Sequence, residues 1–217
     1  IALFLLGLFS LTLLISAYIF WENNSVVITN YSIYSRKVPV SFDGYKIALL
    51  SDFHNSDNVE KVIKATEEIR PKIVVMAGDA INMLDTDHPN TMKLFERLVN
   101  IAPVYFSSGN HEVWNVDEKG FLNSIAEKGV HVLNNKVETI CKNNSAINLI
   151  GAKDMVYADG KMSYDLLNNE LCSLSEKVRD KNLFNILIFH KANYFETVSN
   201  YPFDLVLSGH LHGGQIN

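Results

Sequence analysis

The chain opens on a single apolar stretch. From Ile1 to Trp21 only Ser10, Thr12 and Ser16 interrupt it, with Tyr18 and Trp21 toward its end. About twenty such residues cross a bilayer as a helix, and aromatic side chains favour the bilayer edge. The stretch predicts a transmembrane anchor over residues 1–21. A signal peptide would want a basic start and a small-residue cleavage site, and neither is visible. Residues 22–43 are polar with short β-like runs such as Ser25 to Thr29, and predict a juxtamembrane linker leading into a first edge strand.

From Tyr45 the pattern alternates between continuous apolar runs and helical spacing, marking a domain over residues 44–217. Lys46–Ser51 reads as a buried strand, and Val59, Val62, Ile63, Thr66 and Ile69 then fall on one helical face, with Asp57 or Asn58 available as the N-cap. Pro71 ends that helix and Ile73–Ala77 is the next strand. The rhythm repeats: Leu94, Phe95, Leu98 and Val99 before Val104–Ser107, then Phe121, Leu122, Ile125 and Ala126 before Val130–Leu133. Val137–Ile150 reads as a hairpin turning at Lys142-Asn143-Asn144, and Gly151–Lys161 as an Asp-rich loop. Leu167, Leu171, Leu174 and Val178 mark another helix, Asn185–Phe189 a strand, Asn193–Ser199 a short helix and Leu205–Ser208 the last strand. Apolar strands alternating with amphipathic helices predict an α/β domain with a largely parallel sheet covered on both faces.

Composition adds little and removes some options. The 217 residues are 47% hydrophobic, enough for a membrane segment plus one α/β domain. A net charge of −5 without a basic run leaves no nucleic-acid footprint. Cys141 and Cys172 are too few for a disulfide scaffold and lack zinc-ribbon spacing; they read as ordinary semi-buried thiols, with a bond between them left open.

The chemistry lies where the strands end. The first runs into Asp52-Phe53-His54, the second into Gly78-Asp79, the third into Gly109-Asn110-His111-Glu112, the next into His190, and the last into Gly209-His210-Leu211-His212. In open α/β sheets ligands bind beyond the carboxyl ends of the strands, so the five clusters are expected to converge on one sheet edge. If the backbone stays extended through Leu211, His210 and His212 point to one side. Asp, Asn and His without Cys suit Mn, Fe, Co or Zn better than Ca or Mg, and seven donors are about right for two metals sharing a carboxylate.

This ordered set resembles the motif blocks of the calcineurin-like metallophosphoesterases, and its wording is most similar to their membrane-anchored bacterial, YkuE/YaeI-like branch. The resemblance covers about Lys46 to the end. It implies a layered α/β/β/α sandwich, and since family members continue past the position of Asn217 into strands completing a second sheet, C-terminal strands are expected to be missing. It implies one divalent metal ion on Asp52, His54, Asp79 and His212, a second on Asp79, Asn110, His190 and His210, and His111 beside them as general acid or transition-state donor. The implied reaction is phosphoester hydrolysis by a two-metal-activated hydroxide, with a phosphodiester as the expected substrate; the membrane segment adds a lipid-linked or envelope substrate to the expectation. A non-catalytic metal-binding module on the same fold, and another metal hydrolase such as an amidase, are the alternatives. Two positions depart from the pattern: Asn82 stands where an acidic residue is frequent three positions after the bridging Asp, leaving the partner of His111 open, and Lys72 stands where Asp is frequent. Glu112 is either a residue that orients a ligand or an exposed helix-start carboxylate. Asp154 and Asn82 are candidate substrate or water contacts.

Overall fold

The computed structural model describes residues 2–155, 163–178 and 180–214. Helix α1 (Ala2–Asn23) is apolar on every side, and its described side chains from Leu3 to Glu22 are exposed. At ~1.5 Å per residue its 22 residues reach about 33 Å, against ~30 Å of bilayer hydrocarbon. It is long and apolar enough to cross a membrane; a signal sequence meets the same description.

The edge strand expected after it is absent. Residues 24–37 hold no helix or strand, and a single 3-10 turn follows at Val40–Phe42. A strand needs a neighbour to take up its N–H and C=O groups, and among the described residues none pairs with this segment. Lys37 instead ties it to the domain through Asp204, 2.8 Å away.

The domain begins with β1 (Ile47–Leu50), α2 (Val59–Ile69), β2 (Ile73–Met76), α3 (Pro89–Leu98), β3 (Val104–Phe106), α4 (Asn110–Trp114), α5 (Glu118–Glu127) and β4 (His131–Val132). The four strands form a parallel sheet in the order β1-β2-β3-β4. There follow β5 (Lys136–Lys142), β6 (Ser145–Ala152), α6 (Tyr164–Lys177), β7 (Phe184–Lys191), α7 (Phe195–Val198) and β8 (Leu205–Gly209). They form a second four-stranded sheet, β5-β6-β7-β8, antiparallel in its hairpin and parallel thereafter. The single sheet read from the sequence is thus two.

Strand periodicity shows why they stack. On β2, Val74 and Met76 pack against Ile63, Leu94, Phe95 and Ile125 of the helices, while Ile73, Val75 and, just past the strand, Ala77 face the other sheet. On β7, Ile186 and Ile188 meet that same inter-sheet core, and Leu187 and Phe189 pack under Leu167, Leu171 and Leu174 of α6. The layers are therefore α/β/β/α, with each central strand buried on both faces.

Two local expectations fail for identifiable reasons. Neither Asp57 nor Asn58 caps α2: the Asn58 side chain accepts from Lys61 Nζ (2.9 Å) and that of Asp57 from Asn90 (2.8 Å). Cys141 and Cys172 are exposed rather than semi-buried, and both are free; one lies on the edge strand β5 and the other on the outer face of α6.

Candidate metal centre

Two sheets, not one, present the clusters. Asp52 and His54 follow β1, Asp79 follows β2, Asn110 and His111 open α4 just beyond β3, His190 is the next-to-last residue of β7, and His210 and His212 follow β8. The inter-sheet side chains converge at these ends, and His190 continues the inward row of Ile186 and Ile188. Its Nδ1 lies 2.7 Å from the carbonyl of Ala77, across the gap between sheets.

The strand tails leave the extended conformation at the residues that matter. Asp52 (φ 53), His54 (φ 50), Asp79 (φ 51), His210 (φ 73) and His212 (φ 46) are all left-handed, a conformation costing of order 1–3 kcal/mol each at a non-Gly residue. The extended backbone expected through Leu211 does not form, because β8 stops at Gly209. Its consequence changes accordingly: the two histidines part rather than share one point. Two glycines keep the packing close. A Cβ on Gly78 (φ +83) would stand 2.6 Å from Gly109, and one on Gly109 would stand 2.3 Å from Asp79 Oδ1.

Three overlapping groups of donors result: Asp52, His54 and His212; His54, Asp79 and His111; and Asp79, His190 and His210, each with its atoms within 4.8 Å of one another. His54 Nε2 and His212 Nε2 face each other at 3.2 Å, and Asp52 Oδ1 is 3.3 Å from His212 Nε2. Asp79 Oδ2 lies 3.0 Å from His190 Nε2, 3.9 Å from His111 Nε2 and 4.0 Å from His54 Nε2. Asp52 is held by the N–H of His210 and by the hydroxyl of Ser51 (2.6 Å), a contact that nothing in the spacing of the motifs announces.

The donor set suits cations. Burial, joined by the neighbouring imidazoles, holds His54 and His210 below the usual imidazole range, which keeps their lone pairs free. Asn110 Oδ1 and His190 Nε2 are buried without a hydrogen-bond partner, and buried polar atoms left so are rare without an ion or water to meet them. With Nδ1 of His190 donating to Ala77, its Nε2 lone pair would face the Asp79 carboxylate, two acceptors at 3.0 Å that need a positive charge between them. In the metal-free protein that charge is a proton. Burial opposes it, but pairing with Asp79 raises His190 to about 9 and, against the effect of its own burial, lowers Asp79 below the ordinary carboxylate value.

The sign of the linked stability follows. The folded pKa of about 9 exceeds the unfolded 6.5, so the imidazolium–Asp79 pair contributes stability that is full below pH 6.5 and lost as pH rises through 9. The melting temperature of the metal-free protein is therefore expected to fall across that window, and His190→Gln to flatten the fall. Equal slopes in wild type and variant would contradict the pairing.

The remaining expected residues surround the donors. His111 Nδ1 accepts the N–H of Met83 (3.1 Å), so the proton of the neutral ring lies on Nε2, which faces Asp79. A backbone amide thus supplies the orientation that an acidic side chain would have given; Asn82 donates instead to His54 O and to Asp85. Asn115, not singled out from sequence, fixes this loop by reaching the carbonyls of Asn82, Met83 and Asp85. Of the two readings of Glu112, the exposed carboxylate is excluded: it is fully buried and accepts four backbone N–H groups, from Asp79, Ala80, Ile81 and Gly109, at 2.7–3.2 Å. Burial, with Asp79 beside it, pushes its pKa up to about 7, against the pull of those donors. Asp154 is buried and ion-paired with Lys191.

Cation-gathering donors at the facing strand ends of an α/β/β/α sandwich define a metallohydrolase-like protein. The chain belongs to the calcineurin-like phosphoesterase family, whose profile matches residues 45–214, and it is a hydrolase of that class. It is 30% identical over 203 residues to the uncharacterized metallophosphoesterase YkuE of Bacillus subtilis, covering 90% of this chain and 68% of the relative. It is 24% identical to phosphodiesterase YaeI of Escherichia coli, over 79% of this chain and 62% of that one. Its fold is similar to the crystal structure of TT1561 of Thermus thermophilus, with a TM-score of 0.55, 13% identity, and 76% and 80% of the two chains covered.

Proposed function

We propose that the chain is a phosphodiesterase using two divalent cations: one held by Asp52, His54, Asp79 and His212, the other by Asp79, Asn110, His190 and His210. The observation that carries this reading is Asp79, whose buried carboxylate groups with His190 and His210 on one side and with His54, a member of the Asp52–His54–His212 group, on the other, and so can serve both cations. Cations bound there would neutralise phosphoryl oxygens and bring the pKa of a water toward neutrality.

The chain's own residues do the rest. His111 presents an Nε2–H toward the donors and is placed to give a hydrogen bond to the leaving oxygen as charge develops there; with Nδ1 taken up by the Met83 N–H it acts as a transition-state donor and keeps its proton. Its ring cannot turn without losing the Met83 N–H. Glu112 pins the Asp79 loop to Gly109, which fixes the bridging carboxylate before any substrate arrives. A diester fits better than a monoester. The cavity of about 440 Å³ beside Asp52 and His212 is lined by Ser51, Ser208, Leu211 and Gly213, with no Lys or Arg among its described lining residues to meet the extra charge of a monoester. The name of the relative YaeI supports the same choice. Helix α1 is proposed to anchor this domain at a bilayer, where tethering raises the local concentration of a lipid-linked phosphodiester.

The test is hydrolysis by the full chain in detergent, loaded with Mn or with Fe, Co or Zn, or treated with chelator. Substrates are a nitrophenyl phosphodiester, the monoester, a lipid phosphodiester and a nitroanilide. Diester hydrolysis that needs the metal and stops with chelator is expected. Failure on both phosphodiesters with every metal overturns the reading, and cleavage of the anilide alone makes the protein an amidase.

A further inference from the structure

One buried ion pair lies beside the centre without joining it. Lys191 is 5% exposed and Asp154 is 1% exposed, with Lys191 Nζ 3.2 Å from Asp154 Oδ1. Neither Asp154 oxygen has an aligned hydrogen bond. Such a pair adds little net stability, because removing two charges from water offsets most of their attraction. Its place in the fold supplies a different reason for it.

Strands β7 and β8 run in register to Ile188 opposite Leu207, then pair again as Lys191 opposite Gly209. Three steps along β7 match two along β8, so the stretch between Ile188 and Lys191, which carries His190, holds one extra residue. Bulges next to sites re-aim a side chain, and the ladder is broken where they do so. The residue that closes this bulge is Lys191. Its partner Asp154 lies just past β6 and is fixed in turn: its N–H donates to Ser108 O at 3.0 Å, while Ser107 Oγ donates to Ala152 O at 2.9 Å. Ser107 and Ser108 are the tail of β3, which leads directly into Gly109 and Asn110. The pair therefore connects the bulged end of one sheet to the strand tail of the other.

We propose that the Asp154–Lys191 pair is a positioning brace for one cation, holding His190 on β7 and Asn110 beyond β3 at a fixed separation across the two sheets. The inference rests on the two-cation reading above. It assigns Asp154 a role through Lys191 rather than as a contact of substrate or water.

Mn binding to the full chain in detergent, counted by calorimetry or electron paramagnetic resonance without substrate, tests it. Wild type is expected to bind two Mn ions. Asp154→Asn and Lys191→Met are each expected to keep one site at wild-type affinity and weaken the other about 10–100-fold, the usual cost of losing a residue that supports a ligand. Each single variant strands a buried charge and can unfold, so the double variant Asp154→Leu/Lys191→Met, which removes both charges, is the decisive one. It is expected to melt near the wild type and to lose the same single site. Lys153→Met, next door but paired with the half-buried Glu118 instead, is expected to keep both. Two unaltered sites in the folded double variant overturn the brace, as does equal weakening of both sites, which would mark general loosening. A wild type without paired Mn sites instead overturns the two-cation reading itself.

Discussion

Asp79→Asn is expected to abolish metal-dependent phosphodiester hydrolysis while leaving the domain folded. The loss should be well beyond the ~10–100-fold typical of a supporting residue, since this carboxylate serves both cations. The fold survives because the amide is isosteric. Its oxygen can still accept the His111 N–H, now 2.9 Å from Asp79 Oδ1, and so keep the start of α4 in place. Its NH2 would replace Oδ2 and offer a donor to His190 Nε2, restoring a contact in the metal-free state. What is lost is charge. A neutral group whose donor points at the cation positions leaves four histidines, Asp52 and Asn110 to hold two dications. The measurements are the melting temperature, the Mn count and the diester rate. A variant that keeps more than a tenth of the wild-type rate would refute the shared role of Asp79.

How far such an outcome could be foreseen differs between the donors and their supports. The donors were legible because residue type and strand position act together: Asp or His just past an apolar run is informative wherever strand ends converge. Their backbone was not. Asp52, His54, Asp79, His210 and His212 are left-handed, and although Asp, Asn and His enter that region more readily than most residues, nothing marks which of them will. Assuming an extended tail after β8 therefore gave the wrong geometry for His210 and His212. The two-sheet layering was invisible to periodicity for a related reason. Val74 and Met76 meet helices while Ile73 and Val75 meet a second sheet, yet both faces demand apolar residues and the run reads the same. Only the family resemblance distinguished them. Supports made by backbone atoms leave least trace: the amide that orients His111 belongs to Met83, whose side chain says nothing of it.

Glu112 is where those backbone supports concentrate, and Glu112→Gln is expected to lower the melting temperature by on the order of 10 °C. One carboxylate oxygen accepts from Ala80 and Ile81, the other from Asp79 and Gly109. A glutamine can satisfy one of these pairs with its oxygen and must turn its NH2 against the two donors of the other. Two buried donors left unmet cost roughly 2–6 kcal/mol. Part of that is offset, because the variant no longer buries a charge, the effect that pushes Glu112 up to about 7. The lower half of the range is then the better expectation, and at ~2–4 °C per kcal/mol for a domain of this size it gives the stated shift. The exposed Glu127, changed the same way, is expected to stay within ~0.5 kcal/mol of wild type. Thermal melts of the two variants decide the matter, and a Glu112→Gln melt that coincides with Glu127→Gln would show that the four contacts carry no weight. Activity should fall with stability here, unlike at Asp79, because either pair of amides that is released, Ala80 and Ile81 or Asp79 and Gly109, belongs to the strand tails that carry Asp79 and Asn110. Both proposed cation positions would then loosen together through the loops that carry them, even though Glu112 touches no donor atom in either group.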